Sequence, residues 1–180
     1  ETAIRLQAGL TGFGPNGATF FDPNGLSFLN TLNSIDPGYG YWVKVGQEAG
    51  IVAAGMPMPN DYAMNLMANW NLIAYWLDNS MAPEDAFSEL IADGNLVYVT
   101  GFGPNGATFF DPNGLPFLNT LTSLESGYGY WAKVNNAVDG FQFPEGMAVA
   151  AKPVVRDVNP DINRTNSFMF VNGSVAFDQV

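Results

Sequence analysis

Apolar residues fall in short blocks along this chain, and each block ends at a residue pair suited to a turn. Asn69-Trp70-Asn71-Leu72-Ile73-Ala74-Tyr75-Trp76-Leu77 is a run of aromatic and branched side chains with strand character. From Asp78 to Ile91 the spacing changes, with Ala86, Phe87, Leu90 and Ile91 forming an apolar stripe at helical intervals. Ser80 is suited to the N-cap, and Pro83 and Glu84 suit the first turn, so one short helix is expected there. Asp93-Gly94 reads as a turn, and Asn95 to Thr100 as the next strand. In Gly101 to Gly114 (GFGPNGATFFDPNG), two Pro-Asn-Gly triplets bracket a short strand at Ala107 to Phe110. In each triplet the proline fixes one φ and the glycine permits φ above zero, as tight turns require. Gly127 to Val134 (GYGYWAKV) closes the pattern as an aromatic strand.

Much of this pattern occurs twice. Thr11 to Val45 matches Thr100 to Val134 at an offset of 89, with 29 of 35 positions identical. The differences are Ser27/Pro116, Asn33/Thr122, Ile35/Leu124, Asp36/Glu125, Pro37/Ser126 and Val43/Ala132, most of them conservative. Such a period exceeds the roughly 20 to 50 residues of a solenoid repeat or propeller blade, so each copy is read as a small domain. The expected organisation is the back of one unit at 1–45, a linker at 46–68 and a complete unit at 69–134. A linker and extended β tail follow at 135–180, resembling the start of a β-sandwich. The fold class expected is mainly β, in tandem β-rich α+β modules with one short helix per complete unit. By the offset, the first unit lacks its WNLI-type strand and helix, which leaves a sheet edge for another strand to cover.

Composition narrows function more than it defines it. Six basic residues against 17 acidic ones give a net charge of −11, so nucleic acid and anionic lipid are poor partners. Charged residues make up 13% of the chain, about half the usual share, so solubility rests on Asn, Ser, Thr and Gly. There is no cysteine and no histidine. Disulfides, thiolate sites, imidazole metal sites and His-dependent nucleophiles are thereby excluded. No apolar run reaches the roughly 20 residues of a membrane-spanning helix, so no membrane insertion is expected.

The WNLI start, the short helix, the FDPxG turn and the [PS]GYGYWxKV ending resemble repeat modules of large secreted or surface-anchored bacterial proteins. The resemblance covers residues 1–45 and 69–134 and rests above all on the aromatic, glycine-rich ending. It implies a non-catalytic structural, adhesive or spacer role, extracellular or at the cell surface; the incomplete sheet edge and the apolar tail separately suggest other copies or neighbouring domains as partners, with filament assembly as one outcome. The resemblance implies no catalytic residues.

Four groups of residues are candidates for chemistry. Tyr39, Tyr41 and Trp42, with Tyr128, Tyr130 and Trp131, could stack on sugar rings as a carbohydrate-binding module, with polysaccharide as partner. Strand alternation places Tyr128 and Tyr130 on one face and Trp131 on the other, so core packing is favoured for at least one face. Asp157, Asn159 and Asp161 have the spacing of a calcium loop, but Ile162 and Phe168 stand where glycine and a bidentate Glu belong. An extended polar linker is the simpler reading, and no cofactor is otherwise implied. Glu84, Asp85, Glu89, Asp93 and Glu125 are the available carboxylates for acid–base chemistry; near a helix start or a turn they have ordinary roles, and no enzyme is expected. Last, Phe168, Phe170, Val171, Val175 and Phe177 form an apolar stretch suited to strand addition in assembly.

Overall fold

The computed structural model describes residues 8–14, 17–45, 58–103 and 106–144. In chain order the elements are β1 (Ala8–Gly14), β2 (Gly17–Phe21), a 3-10 turn (Ser27–Leu29), β3 (Tyr41–Val45), β4 (Met64–Leu66), β5 (Asn69–Ala74), α1 (Pro83–Ala86), α2 (Ser88–Ala92), β6 (Leu96–Gly103), β7 (Gly106–Phe110), a second 3-10 turn (Pro116–Leu118), β8 (Gly129–Val134) and β9 (Val138–Phe141). The protein is mainly β, with antiparallel strands throughout.

The duplicated sequence builds the same three-stranded element twice. In the first copy the order is β2-β1-β3, and in the second it is β7-β6-β8 with β5 added beyond β8. Gly17 and Gly106, which open β2 and β7, have φ of 90° and 101°, as expected of glycine after Pro-Asn. Gly25 and Gly114 do not share that conformation. They are needed because the preceding aspartate folds back, and a Cβ there would lie within 3.2 Å of Asp22 or 3.1 Å of Asp111.

The helical segment departs from expectation in two ways. Met81 is held extended by paired backbone bonds with Leu124, at 3.1 and 2.7 Å, so Ser80 does not cap a helix. The helix starts only at Pro83, behind Ala82, and it breaks at Phe87 (φ −114°, ψ 22°) into α1 and α2. Phe87 gives up helical geometry while fully buried, stacked on Phe141 at 5.8 Å. The short elements still cover the sheet. Ala86, Phe87 and Leu90 pack on a core that contains Ile73, Leu96, Val99, Phe110, Tyr130, Ala132 and Val134.

The domain limits also shift. Residues 58–68 fall within the interval expected as a linker, yet Met58, Met64 and Leu66 belong to the core, and β4 pairs with β9. Phe141 and Phe143, beyond the expected end of the unit, seal the same core against Tyr75, Trp76 and Phe87. The second module therefore runs from Met58 to at least Phe143. Its extra length supplies the apolar cover that two helices of four and five residues leave incomplete.

One cross-strand pair recurs in both copies. Tyr41 lies over Gly12, and Tyr130 over Gly101, with each ring on the glycine of the neighbouring strand. A Cβ at Gly12 would meet Tyr41 Cε1 at 2.8 Å, and one at Gly101 would meet Tyr130 Cε1 at 2.9 Å. Neither ring can step aside, since the Tyr41 hydroxyl accepts from the Asp36 N–H and the Tyr130 hydroxyl from the Glu125 N–H, both at 2.7 Å. Gly101→Ala should therefore cost about 1–3 kcal/mol in chemical denaturation, as an overpacked core does. Gly103→Ala, where an added Cβ meets nothing within 4 Å, should change stability by less than about 0.5 kcal/mol.

Candidate functional site

Strand alternation sends the aromatic residues of the closing strands in two directions. Tyr41 and Tyr130 turn into their own copies, with exposures of 6% and 5%. Burial pushes the Tyr130 hydroxyl up to about 12, with the Glu125 N–H opposing the shift and the Glu125 charge adding to it. Tyr41 is raised by burial in the same way, against the opposing Asp36 N–H. Tyr39 is half-buried and donates to the Asn65 carbonyl at 3.4 Å. Tyr128 packs against the core.

Trp42 and Trp131 take the opposite face, where the two copies meet. Phe13 of the first copy lies edge-on to Trp131 of the second, with ring centres 5.1 Å apart at 63°. Trp42 of the first lies edge-on to Phe102 of the second, at 5.1 Å and 62°. By the offset of 89, Phe13 corresponds to Phe102 and Trp42 to Trp131, so one contact is made twice with the partners exchanged. That is the signature of a two-fold relation. Trp70 extends the seam to Trp131 and Tyr98, and the Lys133 ammonium sits 5.6 Å from the Trp70 ring centre. Of the six residues expected as a sugar platform, Tyr41 and Tyr130 are buried, Tyr39 and Tyr128 are half-buried, and Trp42 and Trp131 make ring contacts between the copies.

A different apolar surface does face solvent. Leu26, Phe28 and Leu29 are exposed at 61%, 78% and 49%, and their counterparts Leu115, Phe117 and Leu118 at 58%, 78% and 50%. Phe20 in β2 and Phe109 in β7 are also exposed, at 43% and 40%. These side chains stand on rigid loops. The Asp22 N–H donates to Asn30 Oδ1 at 2.9 Å, Asn30 Nδ2 donates back to the Asp22 carbonyl at 3.3 Å, and the Asn24 N–H donates to Asp22 Oδ1 at 2.8 Å. Asp111, Asn113 and Asn119 repeat all three bonds at 2.9, 3.2 and 2.8 Å. Thr31 Oγ1 and Thr120 Oγ1 accept from the Phe20 and Phe109 N–H groups, each at 3.1 Å. Asp22 and Asp111 therefore brace the loops as Asx turns.

Sequence reasoning reached the PNG turns that flank these loops and missed the apolar residues on them. The available signal was Leu-Ser-Phe-Leu and Leu-Pro-Phe-Leu directly after a turn, too short to alternate and present in both copies. The candidate carboxylates Glu84, Asp85, Glu89, Asp93 and Glu125 are all exposed. Glu125 Oε1 accepts from the Ser123 hydroxyl at 2.7 Å. Among the described residues no group of three or more acidic side chains is placed to hold a metal ion. Asp157, Asn159 and Asp161, and the stretch Phe168, Phe170, Val171, Val175 and Phe177, lie outside the described residues. Compared with known protein families, characterised proteins and solved structures, the chain matches none.

Tyr130 makes a pH dependence. Its hydroxyl ionises near 10 when unfolded and near 12 when folded. The folded state thus retains a proton that the unfolded chain has lost. Stability should hold below about pH 10 and fall as the pH rises towards about 12, by up to about 1.4 kcal/mol per unit for each such tyrosine. Urea unfolding across this range measures the slope, and Tyr130→Phe should make it shallower.

Proposed function

We propose that this protein is a non-catalytic structural and adhesive repeat module of an extracellular or cell-surface protein. The observation that carries this reading is the pair of exposed apolar loops, each presenting Phe, Leu and Leu to the same extent in both copies. An exposed apolar cluster is costly to keep in water, and on a rigid loop it is a feature of contact surfaces. Two such clusters on one body gain from simultaneous engagement, which raises apparent affinity by roughly 10²- to 10⁴-fold without any new contact. Partners would be other copies of the chain or neighbouring modules, with apolar surface to match. The resemblance of the WNLI and GYGYW motifs to bacterial surface repeats points the same way. The aromatic seam supports the structural half of the reading, since residues suited to stacking on sugar are engaged between copies.

Replacing Phe28 and Phe117 together with serine tests this. Both side chains are largely exposed, so stability should change by less than about 0.5 kcal/mol. Self-association, followed by light scattering over a concentration series, should be lost in the double variant. Each single variant should retain part of it. A wild-type chain that stays monomeric at all concentrations, or a double variant that associates as the wild type does, would contradict the proposal.

A further inference from the structure

We infer that this protein dimerises by exchanging its first copy, so that β1, β2 and β3 of one chain dock on the second module of another through the same aromatic seam. The partner is a second copy of this chain. The second module draws its core from residues between Met58 and Phe143, and none of the first copy's described residues belongs to that core. The first copy is attached from outside, through the two ring contacts at 5.1 Å, the Tyr39–Ile73 bridge and the Tyr39 hydroxyl on the Asn65 carbonyl. Each of these joins a residue at or before Trp42 to one at or after Asn65, and none depends on the two lying in one chain. Exchange reproduces all of them between chains. The closed and exchanged forms then differ only in which module residues 46–57 lead to.

The backbone of β5 determines which surfaces pair. The ring contacts alone would suit two first copies or two second modules equally, since Phe13 corresponds to Phe102 and Trp42 to Trp131. The backbone bonds are not interchangeable. Gly40 donates to the Leu72 carbonyl, and the Gly38 carbonyl accepts from Ala74, both at 2.9 Å. Their counterparts Gly129 and Gly127 are already engaged within the second module, where Gly129 pairs with Ala74 and the Gly127 N–H donates to the Tyr75 carbonyl. A second module therefore cannot take the place of the first copy on another second module, and two first copies would meet without β5. The pairing that keeps every bond is the first copy of one chain on the second module of the other, made twice in a closed dimer.

Tethering favours the closed monomer in dilute solution, because a connection of this length gives an effective concentration of about millimolar order. Exchange competes as the concentration of folding chains approaches that value. It goes beyond the loop reading and concerns a different surface. The loops act between folded bodies, whereas exchange needs the seam open and is set while the chain folds.

The test refolds a mixture of isotope-labelled and unlabelled full chain from denaturant, at about 10 µM to about 1 mM, followed by size-exclusion chromatography with light scattering and isotope-filtered NMR. A dimer is expected whose ratio to monomer rises about tenfold for each tenfold in concentration while it is the minor form, with proton contacts between Phe13 of one chain and Trp131 of the other. The double variant Phe28→Ser, Phe117→Ser should form the same dimer, because neither residue lies in the seam. The chain has no cysteine, which permits a covalent check. Tyr39 and Ile73 are an antiparallel bridge pair flanked by its hydrogen bonds, with Cα atoms about 4.5 Å apart. Tyr39→Cys in one preparation and Ile73→Cys in the other should therefore cross-link on oxidation after refolding together. A chain that is monomeric after refolding at every concentration would overturn the inference. So would a dimer whose Phe13–Trp131 contacts all stay within one chain; if that dimer were lost in the double variant, the loop reading would stand without exchange.

Discussion

The arrangement depends on β5 being bonded to both copies of the repeat, along its length to the second and through one bridge to the first. Towards the second copy it pairs with β8 over its whole length. Towards the first, the Gly40 N–H donates to the Leu72 carbonyl and the Ala74 N–H donates to the Gly38 carbonyl, both at 2.9 Å. Leu72, Ile73 and Ala74 are fully buried, so water cannot replace these bonds if they break. Gly40 permits the approach, because a Cβ there would lie 3.1 Å from both the Ile73 carbonyl oxygen and Leu72 Cγ. Asn71, the buried polar residue of this strand, ties it to the preceding loop through paired bonds with Met67 at 2.8 Å. With β5 fixed in this way, two nearly identical sequences meet face to face.

Identical sequences meeting around an approximate two-fold relation make self-complementary contacts. Phe13 with Trp131 and Trp42 with Phe102 are such contacts, each worth about 0.5–1.5 kcal/mol beyond simple area burial. The GYGYW ending therefore has two roles in one strand. Its second tyrosine fills the interior over a glycine, and its tryptophan joins the copies. The loops before it stay outside this packing and keep their apolar residues in water. The strands thus hold the modules together, while the loops leave Phe28 and Phe117 at 78% exposure.

The strands were largely legible in the sequence because their residue types meet local backbone demands. Branched and aromatic runs at Asn69 to Ala74 and Leu96 to Thr100, and the glycines at 17 and 106, needed no tertiary information. The helix start was misplaced because Ser80 satisfies a local rule that the Met81–Leu124 bridge overrides from 43 residues away. The contribution of 58–68 and 141–143 to the core was hidden for the same reason, since β4 and β9 are distant in sequence and each too short to show a period. The aromatic residues were found, but their partners were not, because the alternation of a strand gives two faces without saying what lies against either. Exposure of Phe28 and Phe117 is likewise a property of the loop's position in the fold.

Hydrogen exchange at the Gly40 and Ala74 amides tests the central claim most directly, because each donates across the join between the copies. If both copies form one body around β5, these two amides should exchange as slowly as those of β6 and β8, through opening of the whole structure. Exchange at the rate of an open loop, with β6 and β8 still protected, would show that the copies are independent and that β5 belongs to the second alone.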